Sequence, residues 1–309
     1  MTIKRNFHGY ININKDSGPT SSFIVSNVKR LINAKNKVGH CGTLDPIASG
    51  VLPICVGQAT RLSEFFLLTQ KSYRVTGKFG SSTDTYDSTG NIIKESDNKI
   101  SRKKFCEALK QFNGSIEQRP PLFSALKHKG ERLYNIARKG GNYIPPKRRV
   151  EIFKIRLQKY DFPEFQLDIR VSSGFYVRSL INDLGELLDC PSHMIALDRT
   201  SVGDFHLTKA VKLNELDGLV KNNQLESHII SIDYVLKNFP RIDLTFKESE
   251  QVKNGVQILL KKVKFDSESL SYKKSKLIKA YDSQSRFIAI LKITEDGEFL
   301  KPEKVFHEI

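Results

Sequence analysis

Apolar and polar residues alternate along several segments of this 309-residue chain, a period that is typical of β-strands with one buried face. The alternation predicts strands at 9–14, 72–79, 150–162 and 165–172. Other segments carry apolar residues at the spacing of one helix face. They predict one helix that starts after Thr20 or Ser21 and one at 101–112 that Ser101 caps. They predict further helices at 59–68, at 175–185 and near 213–228.

The composition changes near Phe239 and Pro240, after which the chain alternates again at 276–281 and 286–293. Proline and a change of pattern are typical of a boundary between folded units. We therefore expect a larger domain at 1–236 and a small β-rich module at 237–309.

One stretch, residues 38–57, fits neither period. Its four glycines (Gly39, Gly42, Gly50 and Gly57) and two prolines argue against a continuous helix or strand. Most of its other residues are apolar, so we interpret it as a packed loop whose glycines permit tight turns.

Asp45 lies near the centre of this loop and precedes Pro46, which pushes it toward an extended backbone. From spacing alone it is equally well an Asx-turn residue or a catalytic acid. No Lys follows a glycine at the spacing of a phosphate-binding loop. His40 with Cys41 and Cys55 matches no usual zinc spacing.

The chain is strongly basic, with 50 Lys and Arg against 34 Asp and Glu and a net charge of +16. This excess favours polyanionic partners, nucleic acid first, although an AT-rich genome would also produce a Lys-rich composition. Cations concentrate at 119–149 among prolines, glycines and aromatics, which indicates either RNA contact or a solvated charged face. They are Arg119, Lys127, Lys129, Arg132, Arg138, Lys139, Lys147, Arg148 and Arg149.

Several features bear on compartment and metals. The four cysteines form no CxxC pair and are expected to be reduced thiols. The N-terminus lacks the apolar core of a signal peptide, and no apolar run is long enough for a membrane span.

Asp84 and Asp87 lie in a polar segment that we interpret as a surface loop with Asx-turns rather than a cation site. We expect a cytoplasmic protein with no metal and no membrane segment.

Arg178 falls in the first turn of the helix predicted at 175–185, where the helix dipole disfavours a cation. A cation in that place indicates a carboxylate partner nearby.

The segment 39–53, Gly-His-Cys-Gly-Thr-Leu-Asp-Pro-Ile-Ala-Ser-Gly-Val-Leu-Pro, resembles the catalytic motif of the TruB family of tRNA pseudouridine synthases. Further segments resemble motifs of that family in the same order. They are Lys-Asp-Ser-Gly-Pro-Thr-Ser at 15–21, Lys-Ser-Tyr-Arg-Val at 71–75, Pro-Pro-Leu-Phe-Ser-Ala-Leu-Lys at 120–127, Gly-Phe-Tyr-Val-Arg-Ser-Leu at 174–180 and Leu-Asp-Arg-Thr-Ser-Val-Gly-Asp-Phe at 197–205.

The resemblance implies an α+β fold: a pseudouridine synthase catalytic domain with a large mixed or antiparallel sheet and flanking helices at 1–236. It implies a thumb-like RNA-gripping insertion at about 119–149 and a PUA-like RNA-binding domain at 237–309. It also implies an isomerase that needs no cofactor and converts uridine 55 in the T-arm of tRNA to pseudouridine. We expect a monomer.

The resemblance also assigns roles to single residues. Asp45 would initiate cleavage of the N1–C1′ bond, through attack at C1′ or a glycal route, and Arg178 would be its partner. Tyr73, Tyr176 and Leu197 would contact the flipped uracil, and His40 would fill the space that it leaves in the T-loop. The residues that would support the site structurally are Lys15, Gly42, Leu44 and Pro46. The residues that would contact the RNA are Lys127, Lys129, Arg132, Arg138, Lys147, Arg148 and Arg149.

Two residues depart from the family pattern. Asp16 replaces a proline and affects the local turn, and Asp198 replaces an arginine and removes or inverts a phosphate contact. Two other functions stay open. A non-catalytic RNA-binding or RNA-folding protein on the same fold would use the same charge but would not require Asp45, Tyr73 and Arg178. The second alternative is that this chain is an enzyme of the same superfamily whose substrate is another RNA.

Overall fold

The structure, a computed structural model, describes residues 7–141, 143–263 and 277–307. The strands of the first unit are β1 (Gly9–Lys15), β2 (Val38–His40), β3 (Ala48–Val56), β4 (Lys71–Phe79), β5 (Ser81–Thr83), β6 (Ile92–Glu95), β7 (Gly114–Gln118), β8 (Lys127–His128), β9 (Glu131–Arg132), β10 (Arg148–Asp161), β11 (Glu164–Val171), β12 (Ser192–Val202) and β13 (Phe205–His206). Its helices are α1 (Ser21–Leu31), α2 (Ser63–Leu67), α3 (Arg102–Lys110), α4 (Leu133–Arg138), α5 (Val177–Leu187) and α6 (Leu213–Lys221).

Within the described residues, one nine-stranded sheet organises this unit, with the order β1-β3-β12-β4-β11-β10-β7, β2 beside β3 and β13 beside β12. Its pairs are antiparallel except for β3 with β12, so the sheet is mixed, as predicted. The apolar stripes of α1 and α5 pack with the inward residues of β4 and β11 in one buried cluster. Burial of these faces is the main stabilising term for such a layer.

The opposite face of the central strands is polar. Asp198, Arg74, Asp168 and Arg156 are cross-strand neighbours in successive strands, so opposite charges alternate across the sheet. The Arg74 guanidinium lies 2.9 Å from the Asp168 carboxylate. Asp198, where the family pattern has arginine, therefore belongs to a row of alternating charges, and Ser49 Oγ also donates to it.

A smaller unit follows, with β14 (Arg241–Asp243), α7 (Phe246–Lys253), β15 (Ile258–Leu259), β16 (Leu277–Tyr281), β17 (Phe287–Ile293) and β18 (Phe299–Val305). Its described strands form a five-stranded sheet in the order β14-β16-β17-β18-β15. The predicted β-rich C-terminal module is thus confirmed; residue 276, the predicted start of one strand, lies outside the described residues. Tyr281, Phe287 and Phe306 share a buried cluster with Tyr10 and Phe66 of the first unit, which packs the two units together.

The predicted strands at 9–14, 72–79, 150–162 and 165–172 correspond to β1, β4, β10 and β11. Thr20 and Ser101 are the N-caps of α1 and α3, each accepting a backbone N–H through its side chain. The helix predicted at 59–68 is instead a 3₁₀ turn, Gly57–Leu62, followed by the short α2.

The interpretation of residues 38–57 as one loop is wrong, because residues 48–56 form β3. Two residues that usually break strands are accommodated there. Gly50 has φ +102°, and a Cβ at that position would lie 2.3 Å from the carbonyl oxygen of Arg199, so close pairing with β12 requires glycine. Pro53 has no N–H to donate, but its carbonyl accepts a hydrogen bond from the Cys41 N–H.

Candidate active site

The loop that carries Asp45 connects β2 to β3, and the side chain of Lys15 binds its backbone. The Lys15 ammonium is fully buried and donates to the carbonyls of Asp16 (2.9 Å), Pro19 (2.9 Å) and Pro46 (3.2 Å). Burial lowers the pKa of Lys15 to about 8. The departure at Asp16 leaves this clamp intact, because the clamp uses only the Asp16 backbone carbonyl.

Two further side chains fix the loop backbone. Ser21, at the start of α1, exchanges hydrogen bonds of 2.9 Å with both the N–H and the carbonyl of Leu44. Arg199, 2% exposed on β12, donates to the carbonyls of Gly42 (3.1 Å), Thr43 (3.1 Å) and Val51 (2.7 Å). Sequence reasoning did not single out Arg199, and the only signal is its place two residues after Leu197 on the same face of a strand.

Arg178 joins the loop to the rest of the site. Its Nε lies 3.0 Å from Asp45 Oδ2, and its side chain is only 7% exposed, against 36% for Asp45. The same guanidinium donates to the carbonyls of Thr85 and Phe123, each at 3.0 Å. The carboxylate partner that the helix-dipole argument requires is therefore present, and the guanidinium is almost fully hydrogen-bonded.

Asp87 is a second carboxylate at this arginine. Its Oδ2 lies 3.5 Å from Arg178 Nη1, and it is 4% exposed. It also accepts hydrogen bonds from the Thr89 N–H at 3.0 Å and from the Thr85 hydroxyl at 2.9 Å, so the predicted Asx-turn is present. The prediction that the segment lies on the surface is wrong for Asp87, because its turn packs against α5.

Two cavities meet at Asp45. The first, called here the Tyr73 cavity, has a volume of about 330 Å³, and its wall contains Tyr73, Tyr176, Leu197 and Arg148. The second, the His40 cavity, has a volume of about 490 Å³. Its wall contains His40, Asp87, Arg132, Tyr134 and Arg138. The residues shared by both walls are Thr43, Leu44, Asp45, Ser124, Ala125 and Arg178.

Gln118 and Arg148 contact Tyr176 in the wall of the Tyr73 cavity. The Gln118 side-chain oxygen accepts a hydrogen bond from the Tyr176 N–H at 2.8 Å, and its amide nitrogen donates one to the Tyr176 carbonyl at 2.9 Å. The Arg148 guanidinium lies 4.8 Å from the centre of the Tyr176 ring. Burial raises the pKa of the Tyr73 hydroxyl. Tyr73 is therefore a neutral aromatic surface near neutral pH.

Lys71 is a second side chain of this cavity that the sequence did not single out. Its ammonium donates to the carbonyls of Phe66 (3.1 Å) and Thr69 (2.8 Å). Burial lowers the pKa of Lys71 to about 8. The cavity thus combines aromatic walls with cations at Lys71, Arg148, Arg178 and Arg199, a setting suited to an anionic substrate.

His40 lies on β2 and opens only to the other cavity. Burial, with the nearby charges of Arg199 and Arg132, lowers the pKa of His40, which keeps its ring neutral at pH 7. A neutral, half-buried ring is suited to stacking or hydrogen bonding rather than to binding a phosphate.

The other predicted basic residues surround these cavities. Lys127 and Lys129 lie on the β8–β9 hairpin, Arg132 precedes α4, and Arg138 is the last residue of α4; all four are exposed. Lys147 and Arg149 are exposed at the start of β10, where Arg149 donates to Ser115 at 2.7 Å. Arg148 differs from them, because it forms part of the Tyr73 cavity.

Among the described ranges, no group of three or more His, Cys, Asp or Glu side chains is placed to bind a metal ion. No helix in the described part of the chain has the length and hydropathy that crossing a bilayer requires.

Comparisons with known proteins agree with this architecture. The sequence model described as the N-terminal domain of the TruB family of pseudouridylate synthases matches residues 29–177, and one described as the C-terminal domain of tRNA pseudouridylate synthase B matches residues 178–237. The chain is 35% identical over 304 residues to tRNA pseudouridine synthase B of Actinobacillus pleuropneumoniae serotype 5b (strain L20), which covers 97% of this chain and 96% of that protein. It is 38% identical over 303 residues to tRNA pseudouridine synthase B of Clostridium perfringens (strain 13 / Type A), which covers 97% of this chain and 99% of that protein.

Among solved structures, a chain in the crystal structure of a Cbf5–Nop10–Gar1 complex superimposes with a TM-score of 0.74, over 97% of this chain and 85% of that chain, at 24% identity. At that identity the likeness shows a shared fold.

Proposed function

The chain belongs to the TruB family of pseudouridylate synthases, and we propose that it isomerises uridine 55 in the T-loop of tRNA, with Asp45 as the catalytic carboxylate. The reaction class follows from the family: the protein is an isomerase that converts a uridine of tRNA to pseudouridine. We further propose that it acts on the T-arm as a cytoplasmic monomer without a metal or cofactor, and that residues 237–309 form a PUA-like RNA-binding domain.

One observation carries the proposal: Asp45 lies where two cavities meet, paired with a buried arginine, and one cavity has aromatic walls. Pseudouridine formation breaks the N1–C1′ bond, joins C1′ to C5, moves a proton off C5 and protonates N1. Asp45 initiates the first step, by attack at C1′ or through a glycal. The Arg178 Nε, 3.0 Å from Asp45 Oδ2, orients this carboxylate.

The cavities also account for base flipping. A paired or stacked uridine hides C1′, so the enzyme must extrude the nucleotide. The flipped uracil enters the Tyr73 cavity, where Tyr73 stacks on it and Tyr176 and Leu197 bound it. His40, neutral and half-buried, takes the place that the base leaves in the T-loop.

Tritium release from an unmodified tRNA transcript labelled with 5-[³H]uridine tests the site of reaction. We expect release of about one tritium per tRNA, since the C5 hydrogen of one uridine is lost. A transcript with cytidine at position 55 is expected to release none. Release from that transcript would show that another uridine is the target, and no release from either transcript would contradict the proposed activity.

The exposed thumb cations give a second prediction. Changing both Lys127 and Lys129 to Gln is expected to weaken binding of a T-arm hairpin and to reduce the slope of log K against log [salt] by about 0.7–0.9 per lost phosphate contact. Filter binding between low and moderate salt measures both. The matched control changes Lys154 and Lys159 to Gln on the polar sheet face, which removes the same charge. Equal salt slopes for the two variants would exclude a specific role for the thumb.

A further inference from the structure

Buried polar atoms without a hydrogen-bond partner concentrate around Asp45. In the described part of the chain, six buried side-chain atoms lack a partner: Tyr10 Oη, Asn12 Oδ1, His40 Nδ1, Ser82 Oγ, Ser124 Oγ and Arg148 Nε. Three of these, on His40, Ser124 and Arg148, belong to the walls of the two cavities. An unsatisfied buried polar group destabilises a fold, so its presence in a cavity wall points to a partner supplied by a ligand.

Ser124 is the only one of the three that faces both cavities. It is 4% exposed, and its backbone is fixed, because its N–H donates to Leu122 (2.8 Å) and its carbonyl accepts from Tyr134 (3.1 Å). The carbonyl of the preceding residue, Phe123, accepts from Arg178 at 3.0 Å. The Ser124 backbone is therefore fixed in the wall that also contains Asp45 and Arg178, and its hydroxyl has no partner.

The position of the reacting atom decides what this hydroxyl meets. C1′ must lie at Asp45, with the base in the Tyr73 cavity, so the ribose occupies the junction of the two cavities. A ribose at that junction lies against the shared wall. Of the residues in that wall, Asp45 and Arg178 are paired with each other, whereas the buried Ser124 hydroxyl has a proton to donate.

We propose that Ser124 is a substrate-positioning residue whose hydroxyl donates a hydrogen bond to a sugar–phosphate oxygen of the target nucleotide. The inference rests on the proposed function, because it takes Asp45 as the site of attack on C1′. The acceptor is the ribose 2′ oxygen or an oxygen of the 3′ phosphodiester, which offer the same chemistry to a hydroxyl donor.

The chain contains a matched control. Ser82 on β5 is also buried, at 2% exposure, and its hydroxyl is also unpartnered, but it belongs to neither cavity wall. Ser124→Ala and Ser82→Ala each remove one unsatisfied hydroxyl, so both variants are expected to melt at or above the wild-type temperature. Only Ser124→Ala is expected to lose affinity for a T-arm hairpin and kcat/KM on it, each by about tenfold, the size of one hydrogen bond.

Wild-type affinity in Ser124→Ala, or an equal loss in both variants, would overturn the proposal, as would a loss that accompanies a lower melting temperature. Hairpins with 2′-deoxyribose at the target, or a methylphosphonate on its 3′ side, identify the acceptor. One of these changes is expected to weaken binding by wild type and not by Ser124→Ala. Penalties that are the same for both proteins would contradict a contact with either oxygen.

Binding and isomerisation are measured separately, so the two proposals fail differently. A wild-type protein that binds the hairpin but forms no pseudouridine contradicts the proposed function. The affinity ratio of the two alanine variants still decides whether Ser124 contacts the RNA.

Discussion

Asp45→Asn is expected to reduce tritium release from tRNA by at least about 10³-fold while T-arm affinity and melting temperature stay near wild type. The amide has the size of the carboxylate, and its oxygen can still accept from Arg178 Nε, which lies 3.0 Å from Asp45 Oδ2. It can act neither as a nucleophile at C1′ nor as a base, so both chemical routes lose their first step. Loss of a general base alone costs up to about 10⁴-fold.

Asp84→Asn is the matched control for this change. Asp84 lies in the neighbouring turn, where its carboxylate accepts from the Asn91 N–H at 2.9 Å, and it belongs to neither cavity wall. The same substitution there keeps an acceptor and is expected to leave turnover unchanged. Turnover by Asp45→Asn above one tenth of the wild-type rate would exclude Asp45 as the residue that starts the reaction.

The sequence predicted the central ion pair of this site from two independent sources. The helix dipole required an anion near Arg178, and the family resemblance named Asp45 as that anion. The helix dipole identified Arg178, because a cation in the first turn of a helix can be recognised from the few residues around it. The partner lies more than a hundred residues away, which local patterns do not reach.

The residues that the sequence missed share that limitation. Arg199 supports the loop that carries Asp45 through carbonyls of β3 and of that loop, about 150 residues earlier in the chain. Backbone carbonyls carry no side-chain signature, so no motif marks them as partners. Asp87 was identified as a turn residue, and that local part is correct. Its burial against α5 arises from tertiary packing.

The errors in the predicted strands have a related cause. Gly50 and Pro53 argued against a strand on propensity, yet β3 is paired on both sides, and tertiary pairing outweighs the local preference. No strand was predicted at β12, although it is central to the sheet. Its first three residues, Ser192, His193 and Met194, are all buried, so the alternation that reveals the other strands is missing there.

Arg178→Ala is expected to abolish turnover and to lower the free energy of unfolding by about 3–5 kcal/mol, the usual cost of breaking a buried ion pair by removing one partner. The substitution leaves the Asp87 carboxylate, 4% exposed, without its cation. It also removes both donors from the carbonyls of Thr85 and Phe123. Denaturant unfolding gives the free energy, and tritium release gives the activity.

Combining Arg178→Ala with Asp87→Asn separates the structural from the catalytic part of this loss. Neutralising the buried carboxylate removes the uncompensated charge, so we expect the double variant to recover more than half of the lost free energy. Activity is not expected to return, because Asp45 still lacks the cation that orients it. If turnover recovered with stability, Arg178 would serve folding only. If neither recovered, the loss would come from the unpaired carbonyls rather than from Asp87.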